Sequence, residues 1–180
     1  LVRGKYIPED LNAFSRGYIE DLNGLKIESV VLGRTLSLIK KKISIDLPHL
    51  WVVYPRCRES DHLHLQISGI WEPSTLSELD DSLEVANNND RSTKKSDLDN
   101  VREGDDYFSI RGELIYTKPE NKDLIIKIRQ KPHKNRSKSF PFKLYLKGEI
   151  SIDEVRNFVN LDVRRVGKTL HVEKSEIIGP

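Results

Sequence analysis

A mainly β protein with minor α content is predicted by three observations. Apolar residues alternate with polar ones in short runs, a single convincing stretch repeats at helical spacing, and turn-forming residues separate the runs. Residues 1–74 read as a small N-terminal α/β segment, residues 75–106 as an acidic disordered linker, and residues 107–180 as a β-rich unit. That last unit gives three strands, a short helix and two more strands, the element order of an OB-like five-stranded small barrel, which a small SH3-like or other five-stranded barrel would share.

Each element has a local reason. Ile7-Pro8-Glu9-Asp10 reads as a turn or the opening of a short helix, and Asn23-Gly24 as a turn. Leu25 to Leu32 reads as a strand. After Gly33, the residues Leu32, Leu36, Ile39 and Ile43 fall on one face of an amphipathic helix. Leu50 to Tyr54 is a short apolar strand that Pro55 should stop, because proline has no N–H to give to a ladder. His62 to Ile70 alternates, with Leu63, Leu65 and Ile67 on one face, and Pro55 to Asp61 would join the two strands as a hairpin. Trp51 and Trp71 are expected to anchor this small core.

Beyond Glu72 the composition changes. Runs such as Asn87-Asn88-Asn89-Asp90 and Ser92-Thr93-Lys94-Lys95-Ser96 leave little to bury, which predicts disorder. Then Tyr107 to Thr117, Leu124 to Gln130, Phe140 to Lys147, Phe158 to Arg164 and Thr169 to Glu173 read as strands. Asn121 to Asp123 suits a turn between the first two, Val166 to Lys168 a tight hairpin between the last two, and Ile152 to Asn157 a short helix.

Charge is distributed unevenly. The net charge of +2 hides +2 over residues 1–71, −7 over 72–106 and +7 over 107–180. From Leu124 to Gly148 there is no acidic residue, while Lys127, Arg129, Lys131, Lys134, Arg136, Lys138, Lys143 and Lys147 all fall there. Side chains alternate faces along a strand, so Phe108, Ile110, Leu114 and Tyr116 should point inward, as should Leu124, Ile126 and Ile128. Phe140, Phe142, Leu144 and Leu146 follow the same rule. The outer face then collects Arg111, Lys127, Arg129, Lys143, Lys147 and Arg164, with Tyr107 and Tyr145 among them. Cations can follow a phosphate backbone while aromatic rings stack on unpaired bases. The loop Lys131 to Lys138, with Lys134 and Arg136, suits a phosphate clamp, and Gly112 would permit close approach or a barrel bend. Basic residues also keep sheet edges from aggregating, and that reading competes with the first.

Other chemistry finds little support. His62 and His64 share a strand face, but nothing fixes further ligands for a metal. Cys57 lies between Arg56 and Arg58 without an evident base, and a single cysteine excludes an internal disulfide and fits a reducing compartment. Gly167-Lys168-Thr169 lacks the first glycine and the following helix of a phosphate-binding loop. No enzymatic constellation, cofactor or metal is expected. No apolar run approaches the roughly 20 residues of a membrane-spanning helix, and Leu1 to Tyr6 does not read as a signal peptide, so a cytoplasmic protein is expected.

Trp51-Val52-Val53-Tyr54-Pro55-Arg56, Leu63 to Ile67 before Gly69-Ile70-Trp71-Glu72-Pro73, and Tyr107 to Glu113 resemble strings in a group of conserved cyanobacterial proteins. The resemblance covers both ordered segments and skips the linker. It implies a source and supplies no activity. The residues themselves point to a non-enzymatic protein that binds single-stranded RNA or DNA on the basic β-face. Tyr107, Arg111, Lys127, Arg129, Lys131, Lys134, Arg136, Lys143, Tyr145 and Lys147 are its candidate contacts. The alternative is a protein-interaction or assembly module using Trp51, Tyr54 and Trp71, with no nucleic-acid partner.

Overall fold

The computed structural model describes residues 1–72, 101–131 and 139–180. Within them ten strands close into two five-stranded barrels of identical topology. The first is built from β1 (Val2–Asp10), β2 (Ala13–Asp21), β3 (Lys26–Val31), β4 (His49–Arg58) and β5 (His62–Ile70), with α1 (Gly33–Lys42) between β3 and β4. Its spatial order is β1-β2-β3-β5-β4, closed by pairing of Val2 to Gly4 with His49 to Trp51. The second is built from β6 (Tyr107–Lys118), β7 (Asp123–Ile128), β8 (Phe142–Lys147), β9 (Phe158–Val166) and β10 (Thr169–Gly179). Its order repeats the first: β6-β7-β8-β10-β9, closed by β9 on β6. A single 3-10 turn, Ile152–Glu154, stands where the first barrel has its helix.

The mainly β class and the C-terminal barrel agree with the sequence reading. The N-terminal segment goes further than an α/β unit and closes into a barrel of its own. Ile7 to Asp10 belongs to β1 rather than to a helix or turn, because Val2, Gly4 and Tyr6 alternate inward and lock it to β2. Gly4 is required there: a Cβ would stand 2.4 Å from the carbonyl oxygen of Glu20. Pro55 does not end β4. Beyond Trp51 the edge of β4 that faces away from β5 pairs with no strand among the described residues, so the missing N–H costs no ladder bond. Trp51 is fully buried, packs edge-on against Tyr6 and donates its indole N–H to the Gly4 carbonyl at 2.9 Å. Trp71 lies past the end of β5 and is 43% exposed, so it anchors no core.

Two inward assignments in the second barrel are also overturned. A β-bulge between Leu114 and Tyr116 inserts one residue into β6, which turns Tyr116 outward and buries Thr117 in its place. Phe140 precedes β8 and is exposed.

The expected linker falls largely on residues 73–100, outside the described residues. Residues 101–106, assigned to it by charge, pack along both barrels. Asp105 pairs with Arg3 at 2.7 Å, the N–H of Asp106 donates to the Leu1 carbonyl, and the Asp106 carboxylate accepts from Arg165 at 2.7 Å. Arg165, on β9, also reaches Asp21 of the first barrel at 3.2 Å, with both side chains almost completely buried. The edge of β4 beyond Trp51 also meets β8. The Arg56 guanidinium sits 3.6 Å over the Phe142 ring, and the N–H of Tyr145 donates to Cys57 Sγ at 3.4 Å. The barrels therefore share a polar seam and an edge-to-edge contact.

Candidate nucleic-acid interface

Strand register decides which of the basic side chains meet. Lys127 on β7 stands opposite Glu113 on β6 and opposite Lys143 on β8, forming one lateral row. In the next row Ile125 lies between Tyr116 and Tyr145, and beyond it Asp123 faces Lys147. In the other direction Arg111, Lys127, Arg129 and Arg156 surround a depression of about 420 Å³ with Glu113 and the half-exposed ring of Phe158.

Cations outnumber carboxylates here. Glu113 lies 3.4 Å from Lys127 and 3.8 Å from Arg129, so one carboxylate serves two cations. Lys143 is exposed and has no acidic partner among the described residues. Like charges directly opposite one another on neighbouring strands are destabilising. Glu113 offsets the charge of Lys127 only in part, so the Lys127–Lys143 pair keeps a repulsion that an anion would relieve.

The remaining candidates are placed differently. Lys147 is held by Asp123, and that hydrogen bond keeps the Asp123 carboxyl below its ordinary pKa. Lys131 is exposed just past β7; Lys134 and Arg136 lie outside the described residues. Tyr107 is at the far end of β6, about 20 Å along the strand from Glu113. Its hydroxyl donates to Asp162 at 2.7 Å, which raises its pKa, and Arg164 beside it is occupied by Glu173 and by the backbone carbonyls of Glu103 and Asp105. The fold therefore separates Tyr107 and Arg164 from the row of Lys127 and Lys143.

Each barrel also matches a known family. Residues 1–78 match the family described as PatR RNA-binding protein, N-terminal OB-fold domain. Residues 110–179 match the family described as cyanobacterial OB-fold-like RNA-binding domain, C-terminal. Both matches fit the cyanobacterial protein group whose strings this sequence resembles. No curated protein sequence matches the chain. Two OB-fold RNA-binding domains in one chain make it a nucleic-acid-binding protein, and among its described residues no helix is long and apolar enough to cross a membrane.

Sequence reasoning overlooked several residues of this OB-fold pair. Tyr116 was hidden by the bulge, which no periodicity reports. Arg156 and Phe158 lie at the entry to β9 and join Arg111 only through the β6–β9 pairing. Lys168 was visible as the residue after Gly167 in a hairpin, but its position beside β8 depends on the parallel β8–β10 contact.

Proposed function

We propose that this chain is a non-enzymatic binder of single-stranded RNA, and that the outward face of β6, β7 and β8 is its principal contact. The second and third strands of an OB barrel commonly carry the oligonucleotide, and here they are β7 and β8. Arg111, Lys127, Arg129 and Lys143 neutralise consecutive phosphates, while Tyr145 offers a ring for base stacking. The observation that carries this reading is the in-register Lys127–Lys143 pair, whose repulsion the bound phosphates offset.

The test is a salt titration of RNA affinity by fluorescence anisotropy on the full chain. Each neutralised phosphate of a single strand contributes a slope of about 0.7 in log affinity against log salt. Replacing Lys127 and Lys143 together by Ala should lower the slope by about 1.4 and weaken all sequences alike. An unchanged slope, or no binding of any single-stranded oligonucleotide by the wild-type chain at low salt, would refute the proposal.

A further inference from the structure

A cleft of about 480 Å³ is lined by both barrels. Its volume falls within the roughly 300–1,000 Å³ typical of sites for small organic ligands. The second barrel supplies the row Tyr116, Ile125 and Tyr145, with Lys168 on the β9–β10 turn. The first barrel supplies the β4–β5 hairpin, which presents Cys57, Ser60, Asp61 and Leu63 to the same space. We infer that this composite cleft receives one unpaired nucleobase, lying on Ile125 between the Tyr116 and Tyr145 rings, with an adjacent phosphate on Lys168. The inference rests on the RNA-binding reading above and adds that the first barrel closes over the base.

Four features support it. The two tyrosines are two strand spacings apart, about 10 Å, which leaves room for a flat ring over the intervening isoleucine. Tyr116 reaches the cleft only because of the bulge in β6, which puts it on the outward face, 43% exposed. Bulges recur where a side chain is re-aimed beside a functional site. The hairpin turn has Glu59 at φ 45° and Ser60 at φ 75°. Left-handed backbone at two successive residues other than Asn and Gly is strained, and of the two Ser60 lines the cleft. Finally, the bond from the Tyr145 N–H to Cys57 Sγ fixes the hairpin against the strand that carries one of the two rings.

The chemistry of the lining suits a base better than a phosphate run. Tyr116, Tyr145 and Ile125 offer stacking surface, and Ser60, Asp61 and Thr169 offer donors and acceptors for the polar edge of a base, with Asp123 and Lys147 also in the lining.

The experiment is ultraviolet crosslinking of the full chain to a 4-thiouridine-containing single strand, with peptide mapping, alongside anisotropy of Tyr116→Ala and Tyr116→Phe. Crosslinks to Tyr116 or Tyr145 together with the segment Cys57 to Leu63 are expected. Tyr116→Ala should weaken binding about 5- to 150-fold with the salt slope unchanged, and Tyr116→Phe should restore most of it. Binding with a normal salt slope, but with crosslinks confined to peptides around Lys127 and Lys143, would overturn the cleft while leaving the RNA-binding face intact. Loss of affinity in both Tyr116 variants would likewise overturn it, since stacking survives in Phe. No binding at all by the wild-type chain would remove both readings.

Discussion

Arg165→Ala should be among the most damaging single substitutions in this chain. The Arg165 and Asp21 side chains are 4% and 6% exposed, and their contact at 3.2 Å crosses from one barrel to the other. Arg165 also donates to Asp106 and to the Gly167 carbonyl, each at 2.7 Å. Removing one partner of a buried ion pair typically costs about 3–5 kcal/mol, because the other charge is left without compensation. Asp21 keeps hydrogen bonds from the N–H groups of Asn23 and Leu25, both at 2.9 Å, so the lower end of that range applies. About 3 kcal/mol corresponds to a fall in melting temperature of about 6–12 °C for a chain of this size. Differential scanning calorimetry would measure it, with Asp21→Asn as the comparison. That variant keeps a polar group and leaves Arg165 two of its three acceptors, so it should cost less than Arg165→Ala. A fall of under 2 °C for Arg165→Ala would show that the seam contributes little, and that the barrels are held chiefly by the contact of β4 with β8.

Two further outcomes follow from the same chemistry. Lys143→Glu replaces a repulsive cross-strand pair with an attractive one, so it should stabilise the fold by about 0.2–1 kcal/mol in urea unfolding while sharply weakening RNA binding; a destabilised variant with full affinity would contradict the account of the Lys127–Lys143 row. Acid should loosen the seam: burial pushes the Asp21 carboxyl up, but the N–H bonds from Leu25 and Asn23 and the pair with Arg165 outweigh it and leave its pKa below the ordinary value. A carboxyl depressed in the folded state gives stability that is complete above the unfolded value of about 3.9 and is lost as pH falls through the folded one. Urea midpoints measured from pH 6 down to pH 2 should therefore decline below about pH 4 in the wild type, and decline less in Asp21→Asn.

Much of the second barrel was legible in the residues because period-two alternation is local. Leu124 with Ile126, and Leu144 with Leu146, announce inward faces without reference to any other strand, and they thereby place Lys127 and Lys143 outside. The Gly167 turn, with φ at 62°, was equally readable from its own residues. The charge contrast between residues 72–106 and 107–180 is likewise a property of composition alone.

What needed the tertiary structure is whatever depends on a partner far away in the chain. Closure of the first barrel rests on Val2 to Gly4 finding His49 to Trp51, a pairing no local pattern encodes. The outward turn of Tyr116 comes from a bulge, where one inserted residue exchanges the two faces of a strand without changing its composition. The burial of Arg165 could not be read from a basic run, because charge is free to seek solvent until two carboxylates, Asp21 and Asp106, are brought to it from other elements. The sequence by itself determined the alternation of faces and the surplus of cations, both set by neighbouring residues. Only the fold decided which cations share a row and which are consumed in the seam, because register and long-range pairing fix distances that spacing along the chain does not.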